Sequence, residues 1–409
     1  MNISRDFLKL WIGQTISEIG SRISREGIPY TAVILLHASP LQMGILSAAG
    51  GFAALVAATP AGVLADRVRR KPILIAADLA RAALLAVIPL AALNGNLAMP
   101  LLLAVAVAAG LLGVFFDVAY QTYFPSLVDS DQLVDGNRRL AMSASTAEAI
   151  GPGLTGFLVG WLTAPIAIAL DAASFLVSAA SLLAIRRPEP PPQGHAADFT
   201  WHDAFSGFGI VWRHPILRPF ALRTATMSLF GGFFWALYVY FAIDILHFTP
   251  MLLGVLVTLG GIGAFTGSWL AGVLVPRYPL GKVLGIAAVT QAFLQLLVPL
   301  ASGPLWLSAL CLGASQLLGD TCFPLIGIHE TSLRQRISPP EHLGRVNACN
   351  QLLFRGILPI GALLGGLLGS AIGVRPTLFI SVIGFMASSA WLVFSPVWRL
   401  KAHPVRAGS

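Results

Sequence analysis

Gly62-Val-Leu-Ala-Asp66-Arg67-Val-Arg69-Arg70-Lys71 sets one acid and four bases between two long apolar runs, residues 41–65 and 73–93. A hydrocarbon core about 30 Å thick takes about 20 apolar residues per helical crossing, and each run is long enough. The charged stretch therefore reads as a tight loop at a membrane face. The rest of the 409 residues has the same texture, 56% hydrophobic and 11% charged with mean hydropathy +0.78, where globular chains average about 25% charged. This excludes a soluble domain, a coiled coil, a disordered chain and a nucleic-acid-binding protein.

Working outward from that loop, twelve spans are predicted at 10–36, 41–65, 73–93, 98–125, 139–161, 165–185, 216–246, 250–275, 283–301, 304–327, 346–370 and 376–396. The first span is long and charged and lacks a small-residue cleavage site, so it reads as a crossing and not as a cleaved signal. With the N-terminus inside, the cytoplasmic segments hold 20 of the 26 Lys and Arg residues, and the opposite loops hold only Arg375. Basic residues near span ends stay cytoplasmic. Both termini are thus expected in the cytoplasm, and the net charge of +8 is mostly this bias, with no anionic ligand needed to explain it.

Arg186-Arg-Pro-Glu-Pro-Pro-Pro-Gln-Gly-His195 interrupts the hydropathy with prolines that cannot continue a helix. It divides residues 1–185 from residues 216–396, with a cytoplasmic linker at 186–215 and a tail at 397–409. Within the linker Trp201, Phe205, Phe208 and Trp212 recur at helical spacing, the pattern of an amphipathic helix lying in the membrane interface. A shift of 210 positions lays Ser39-Pro-Leu-Gln-Met-Gly44 onto Thr249-Pro-Met-Leu-Leu-Gly254, Ala61–Arg67 onto Ala271–Arg277, and His37 onto His247. Near the end of each half the offset is 207, where Arg138 meets Arg345 and Pro152 meets Pro359. Two like-oriented six-helix bundles follow, because an even number of crossings separates equivalent points.

Together these residues resemble the major facilitator superfamily, whose loop signature is usually Gly-x-Leu-Ala-Asp-Arg-x-Gly-Arg-Arg/Lys. Arg69 stands where that pattern commonly has Gly. Gly13–Ser17, Asp78-Leu-Ala-Arg81, Asp171–Phe175 and Leu343–Val346 are similar to the twelve-helix drug exporters that include macrolide efflux pumps and the enterobactin exporter. The resemblance implies an all-α membrane fold of two pseudo-symmetric bundles, and secondary transport of a small molecule across a bacterial inner membrane by a monomer without a cofactor. Gly151-Pro152-Gly153-Leu-Thr-Gly156 resembles part of the antiporter signature, with Thr155 in place of one glycine, and this favours export.

Asp66 at a cytoplasmic helix end, with Arg67, Arg70 and Lys71 after it, can bond neighbouring helix ends in one conformation and release them in another. Gly62 opens this latch, and Arg81, three residues beyond Asp78, is expected to join its network. The alternative for the bases is plain positive-inside topology.

Ionisable groups inside the spans need a partner, water or a task, since placing one at the bilayer centre costs about 2.5–3.5 kcal/mol. Glu18, Arg22, Arg25 and Glu26 fall within an arc of roughly 100° on the first helix, a polar face suited to a wet cavity. Glu148 and Arg355 each lie ten residues beyond the paired Arg138 and Arg345. The repeat thus places an acid and a base at corresponding depths. Glu18, Glu148, Glu26, Asp117 and Asp320 are the proton-coupling candidates, with Arg22, Arg25, Arg223 and Arg355 as counter-charges. Asp171, on a span that the resemblance places outside the cavity, ranks lower. Structural ion pairing is the competing reading for all of them.

Phe116, Tyr120, Phe234, Trp235 and Tyr238 crowd spans four and seven and suit the wall of a cavity for a bulky amphipathic compound, unless they pack against lipid. Gly361, Gly365, Gly369 and Gly373 read as helix packing. Cys311, Cys322 and Cys349 have neither metal nor disulfide spacing, and with no phosphate loop or His-Glu-x-x-His pair an enzyme is not expected. A non-transporting receptor or assembly factor on the same scaffold, and a facilitator-type importer, are the alternatives to proton-coupled efflux.

Overall fold

The computed structural model describes residues 4–129, 132–189, 201–339 and 342–402, and every regular element in them is helical. The first six crossings are α1 (Arg5–Ile34), α2 (Pro40–Arg67), α3 (Arg70–Leu93), α4 (Met99–Tyr123), α5 (Leu133–Trp161) and α6 (Ala164–Leu183). After α7 (Trp201–Arg213) come α8 (Leu217–Tyr240), α9 (Pro250–Leu274), and α10 (Leu280–Gln295) with its continuation α11 (Leu297–Leu300). The tenth crossing is α12 (Leu305–Ala314) and α13 (Asp320–Ile337) joined by a π-helical turn at Ser315–Gly319. The eleventh is α14 (Leu343–Gln351) and α15 (Ile357–Ile372) joined by another at Leu352–Gly356, and α16 (Val374–Val393) is the twelfth.

Among the described residues, twelve helical crossings thus stand where twelve were predicted, and ten of them are both long and apolar enough to cross a bilayer. The two that fall short are α1 and α5. Their length suffices, at 30 and 29 residues; α1 is interrupted by charge along its length, and α5 mixes its charged residues with Gly, Ser and Thr that lower its hydropathy.

His37 and His247, equivalent under the repeat, both adopt left-handed backbone, with φ of 47° and 55°. Such a conformation is uncommon outside glycine. The shared feature of these histidines is therefore a turn geometry just past α1 and α8.

The chain forms two compact units, and the break between them does not follow the linker alone. Unit 1 holds residues 1–38, 49–198 and 249–255; unit 2 holds 39–48, 199–248 and 256–409. Inside unit 1, Gly156 of α5 meets Gly254 of α9 backbone to backbone, where an added Cβ would come within 2.9 Å of the facing Cα. Inside unit 2, Gly44 of α2 meets Gly366 of α15 in the same way, at 2.7 Å. Both members of one pair lie 210 positions from those of the other, so the repeat extends to helix crossings that tolerate only a hydrogen as side chain.

Within unit 1, α1 packs chiefly on α6, using Gly13, Gly20 and Gly27 against Ser178, Ser181, Ser174 and Ile168. The core beneath it gathers Phe7, Leu10, Leu74, Phe116 and Tyr123. In unit 2, α8 packs on α15 and α16, and α7 docks on α14. Val211 joins Leu217, Ala221, Val346 and Cys349 there, with Phe208 against them. The face predicted to lie in the lipid interface is thus partly spent on protein packing, while Trp212 is exposed; the side chains of Trp201 and Phe205 lie outside the described residues.

Candidate functional site

Because α1 gives its glycine face to α6, its polar face is left for α5. Trp11 donates its indole N–H to Ser143 at 2.9 Å, and Thr15 shares a 2.8 Å hydrogen bond with the same hydroxyl. Two turns further on, the Arg22 guanidinium forms an ion pair with Glu148. Gly151 makes room for the Arg22 side chain, since a Cβ there would lie 2.7 Å from the arginine's own Cβ. The Glu148 side chain is 67% exposed and that of Arg22 only 14%, so an inward base holds an acid that opens outward from the bundle. Glu148 stands about 22 Å along α5 from Leu133, near mid-helix. Pro152 removes the N–H that would bond the Glu148 carbonyl, and Thr155 donates to the Gly151 carbonyl at 2.8 Å.

Beside this seam lies an open pocket of about 520 Å³ lined by Gln14, Glu18, Tyr120, Gln121, Asn137 and Ser143, among others. Glu18 and Tyr120 lie on its wall. Arg25 is exposed and Glu26 half-buried on the same helix, and Asp117 is exposed on α4. Phe116, Phe234 and Tyr238 occupy a different environment: all three are buried in helix packing. Phe234 stacks on Tyr238 and packs beside Phe385, and the Tyr238 hydroxyl accepts from Gln316 at 2.9 Å. Trp235 is exposed.

Arg81 is also corrected. It lies inside the bundle, not in the charged loop after α2, and donates to Asp78 at 2.6 Å between the rings of Phe116 and Phe175, whose centroids are 4.4 and 4.1 Å away. Asp171, nearby on α6, accepts from Ser174 at 3.0 Å and presses against Gly20 of α1, both arrangements that hold the bundle together.

The charged loop after α2 is tied to its own unit. Glu189 of the linker accepts from the backbone N–H groups of Arg70 and Lys71 at 2.6 and 3.1 Å, capping α3, and the Lys71 ammonium donates to the Ile185 carbonyl at 2.7 Å. The linker is held a second time by Asp6, which accepts from the N–H groups of Arg186 and Arg187. The Lys9 ammonium, 2.6 Å away, and these two N–H groups hold the Asp6 carboxyl below the usual range. The side chains of Asp66 and Arg67 have no hydrogen bond or ion pair among the described residues.

In unit 2, Asp320 follows the π-helical turn and lies against Gly260 beside Gln316, half-buried, its side chain without a hydrogen bond or ion pair among the described residues. Arg355 is exposed within the other π-helical turn. Arg223 is the counter-charge of an acid that the sequence reading left outside the tenth span: Glu330, at 3.9 Å. Helix α13 runs on to Ile337 and buries Ile326, His329, Glu330 and Leu333 on one face. That spacing was the available signal.

Twelve helical crossings among the described residues, in two repeat-related sets of six, with an ion pair between α1 and α5 and Glu18 on the wall of a neighbouring pocket, are the architecture of a membrane transport protein. Residues 3–407 match the family of transmembrane secretion effectors, and the chain belongs to it, within the major facilitator superfamily. Among its relatives, the multidrug efflux pump Tap of Mycolicibacterium fortuitum is 25% identical over 93% of both chains. Macrolide efflux protein A of Streptococcus pyogenes is 24% identical over 90% of both. The enterobactin exporter EntS of Citrobacter koseri is 26% identical over 93% of this chain and 88% of its own. The fold is similar to that of a bacterial homologue of the iron transporter ferroportin in an inward-facing state, with a TM-score of 0.72, 16% identity and coverage of 96% and 99%.

Proposed function

We propose that the protein is a proton-coupled exporter of a bulky amphipathic organic compound, working by alternating access in the bacterial inner membrane with both termini in the cytoplasm. The observation that carries this reading is the Arg22–Glu148 pair. An acid at mid-helix, two-thirds exposed and held by one buried base, can take up a proton, lose its hold on that base and recover it when the proton leaves. Glu18, on the pocket wall one turn before Arg22, supplies a second protonatable group beside the space where cargo would sit. Export is favoured over import by the Gly151-Pro152-Gly153 stretch and by relatives that are efflux proteins.

Asp66 and Arg67 would close the latch in the opposite conformation, since neither is engaged in this one while Arg70 and Lys71 remain tied to the linker and the end of α6. Uptake of a labelled macrolide or dye into inverted vesicles, with and without an imposed pH gradient, tests the coupling. Accumulation is expected to follow the gradient in the wild type. With Glu148→Gln it should fall by about tenfold or more, because an amide cannot exchange a proton at any accessible pH. Equal uptake with the gradient collapsed would remove the coupling claim.

A further inference from the structure

Unit 2 holds a second charged cavity, separate from the α1–α5 seam. It measures about 140 Å³, enough for about four or five waters at about 30 Å³ each, and is lined by Arg223, Thr224, Phe323, Glu330, Arg334 and Phe354, among others. Arg223 lies about 9 Å into α8 from its first residue and is only 6% exposed. Its charge is matched only in part. Two guanidinium groups share one carboxylate here: Glu330 stands 3.9 Å from Arg223 and 3.7 Å from Arg334.

Both separations are well beyond the 2.7–2.9 Å of a charge-assisted hydrogen bond. Arg223 also reaches Gln291 only at 3.4 Å, and its buried Nε has no acceptor. All three side chains line the cavity. A buried cation in surplus by one, with donors left over, is expensive unless an anion supplies the missing charge. Phe323 and Phe354, both half-exposed or nearly so, add an apolar surface to the same cavity.

We propose that this cavity binds an amphipathic organic anion, its carboxylate or other oxyanion between Arg223 and Arg334 and its apolar body against Phe323 and Phe354. This rests on the export reading and narrows it, because the cargo is then an organic acid. Glu330 competes with the anion for the same two arginines.

The test is the thermal stability of the purified full chain in neutral detergent, titrated at constant ionic strength with benzoate, with its uncharged isostere benzamide, and with phosphatidylglycerol. Benzoate should stabilise saturably and benzamide should not. Arg223→Gln and Arg334→Gln should each weaken the benzoate midpoint at least tenfold, whereas Glu330→Gln should tighten it severalfold. Equal effects of benzoate and benzamide, an unchanged midpoint in Arg223→Gln, or a response confined to phosphatidylglycerol would overturn the proposal. Should the arginine variants fail to fold, Glu330→Gln decides, since an unchanged or weaker midpoint there sinks the site. Because binding is read without a gradient, benzoate binding without gradient-driven transport would defeat the export reading alone, and transport without such binding would defeat this site alone.

Discussion

Arg81 shows what a single buried charge does in this protein. Its guanidinium lies between two aromatic rings and bonds Asp78, which is fully buried. Removing one partner of such a pair leaves the other charge unpaired in a medium that cannot solvate it, at a cost of about 3–5 kcal/mol, whereas replacing both is far milder. Arg81→Met should therefore destabilise unit 1 by about that amount, and Asp78→Asn with Arg81→Met by clearly less than the two single changes summed. Unfolding in detergent, read as a double-mutant cycle, measures this; additive effects would mean that the pair is not coupled. Legibility at this scale was uneven. Glu148 was readable because a lone acid in an apolar run stands out, but Glu330 was lost where hydropathy falls at the end of the tenth span although the helix and its burial continue. Phe116 and Phe234 were placed on a cavity wall because an aromatic on one helix face looks the same from sequence whether it meets ligand, lipid or another helix.

At the scale of elements, α5 combines Glu148, the ion-pair partner of Arg22, with a close crossing. Gly156 faces the backbone of α9, so any side chain there must part the two helices, while Gly160, one turn on, has an ordinary 3.6 Å neighbour in Met251. Gly156→Leu is expected to abolish transport with normal membrane insertion, and Gly160→Leu to retain most of it, by vesicle uptake normalised to protein level. Loss of activity in both variants alike would show that the crossing itself is not what matters. The twelve helices were legible because apolar length is a one-dimensional property that a bilayer imposes. The break of the tenth and eleventh helices by π-helical turns was not, since such turns answer to neighbours distant in the chain. Nor was the docking of α7 on α14, because an amphipathic face does not say whether lipid or protein will cover it.

For the whole molecule, the linker is the segment where local bonds have global effect. Asp6 accepts from the Lys9 ammonium and from two linker N–H groups, and these bonds hold its carboxyl below the usual carboxylate range. A depressed carboxyl contributes stability that is present above its unfolded value and is lost as pH falls through the folded one. The stability difference between wild type and Asp6→Asn should thus be constant from neutral pH down to about pH 5 and shrink below about pH 4. Thermal melts across that range test it, and a difference that grows on acidification would reverse the assignment.

The composition of the two units has its own consequence. Residues 249–255 complete the first and residues 39–48 the second, so neither polypeptide made by severing the chain in the linker would contain all of its own folding unit. Co-expressed as separate fragments, the two should be recovered together through an affinity tag on one alone, and each expressed singly should be degraded, which makes the native protein suited to fragment-complementation reporters.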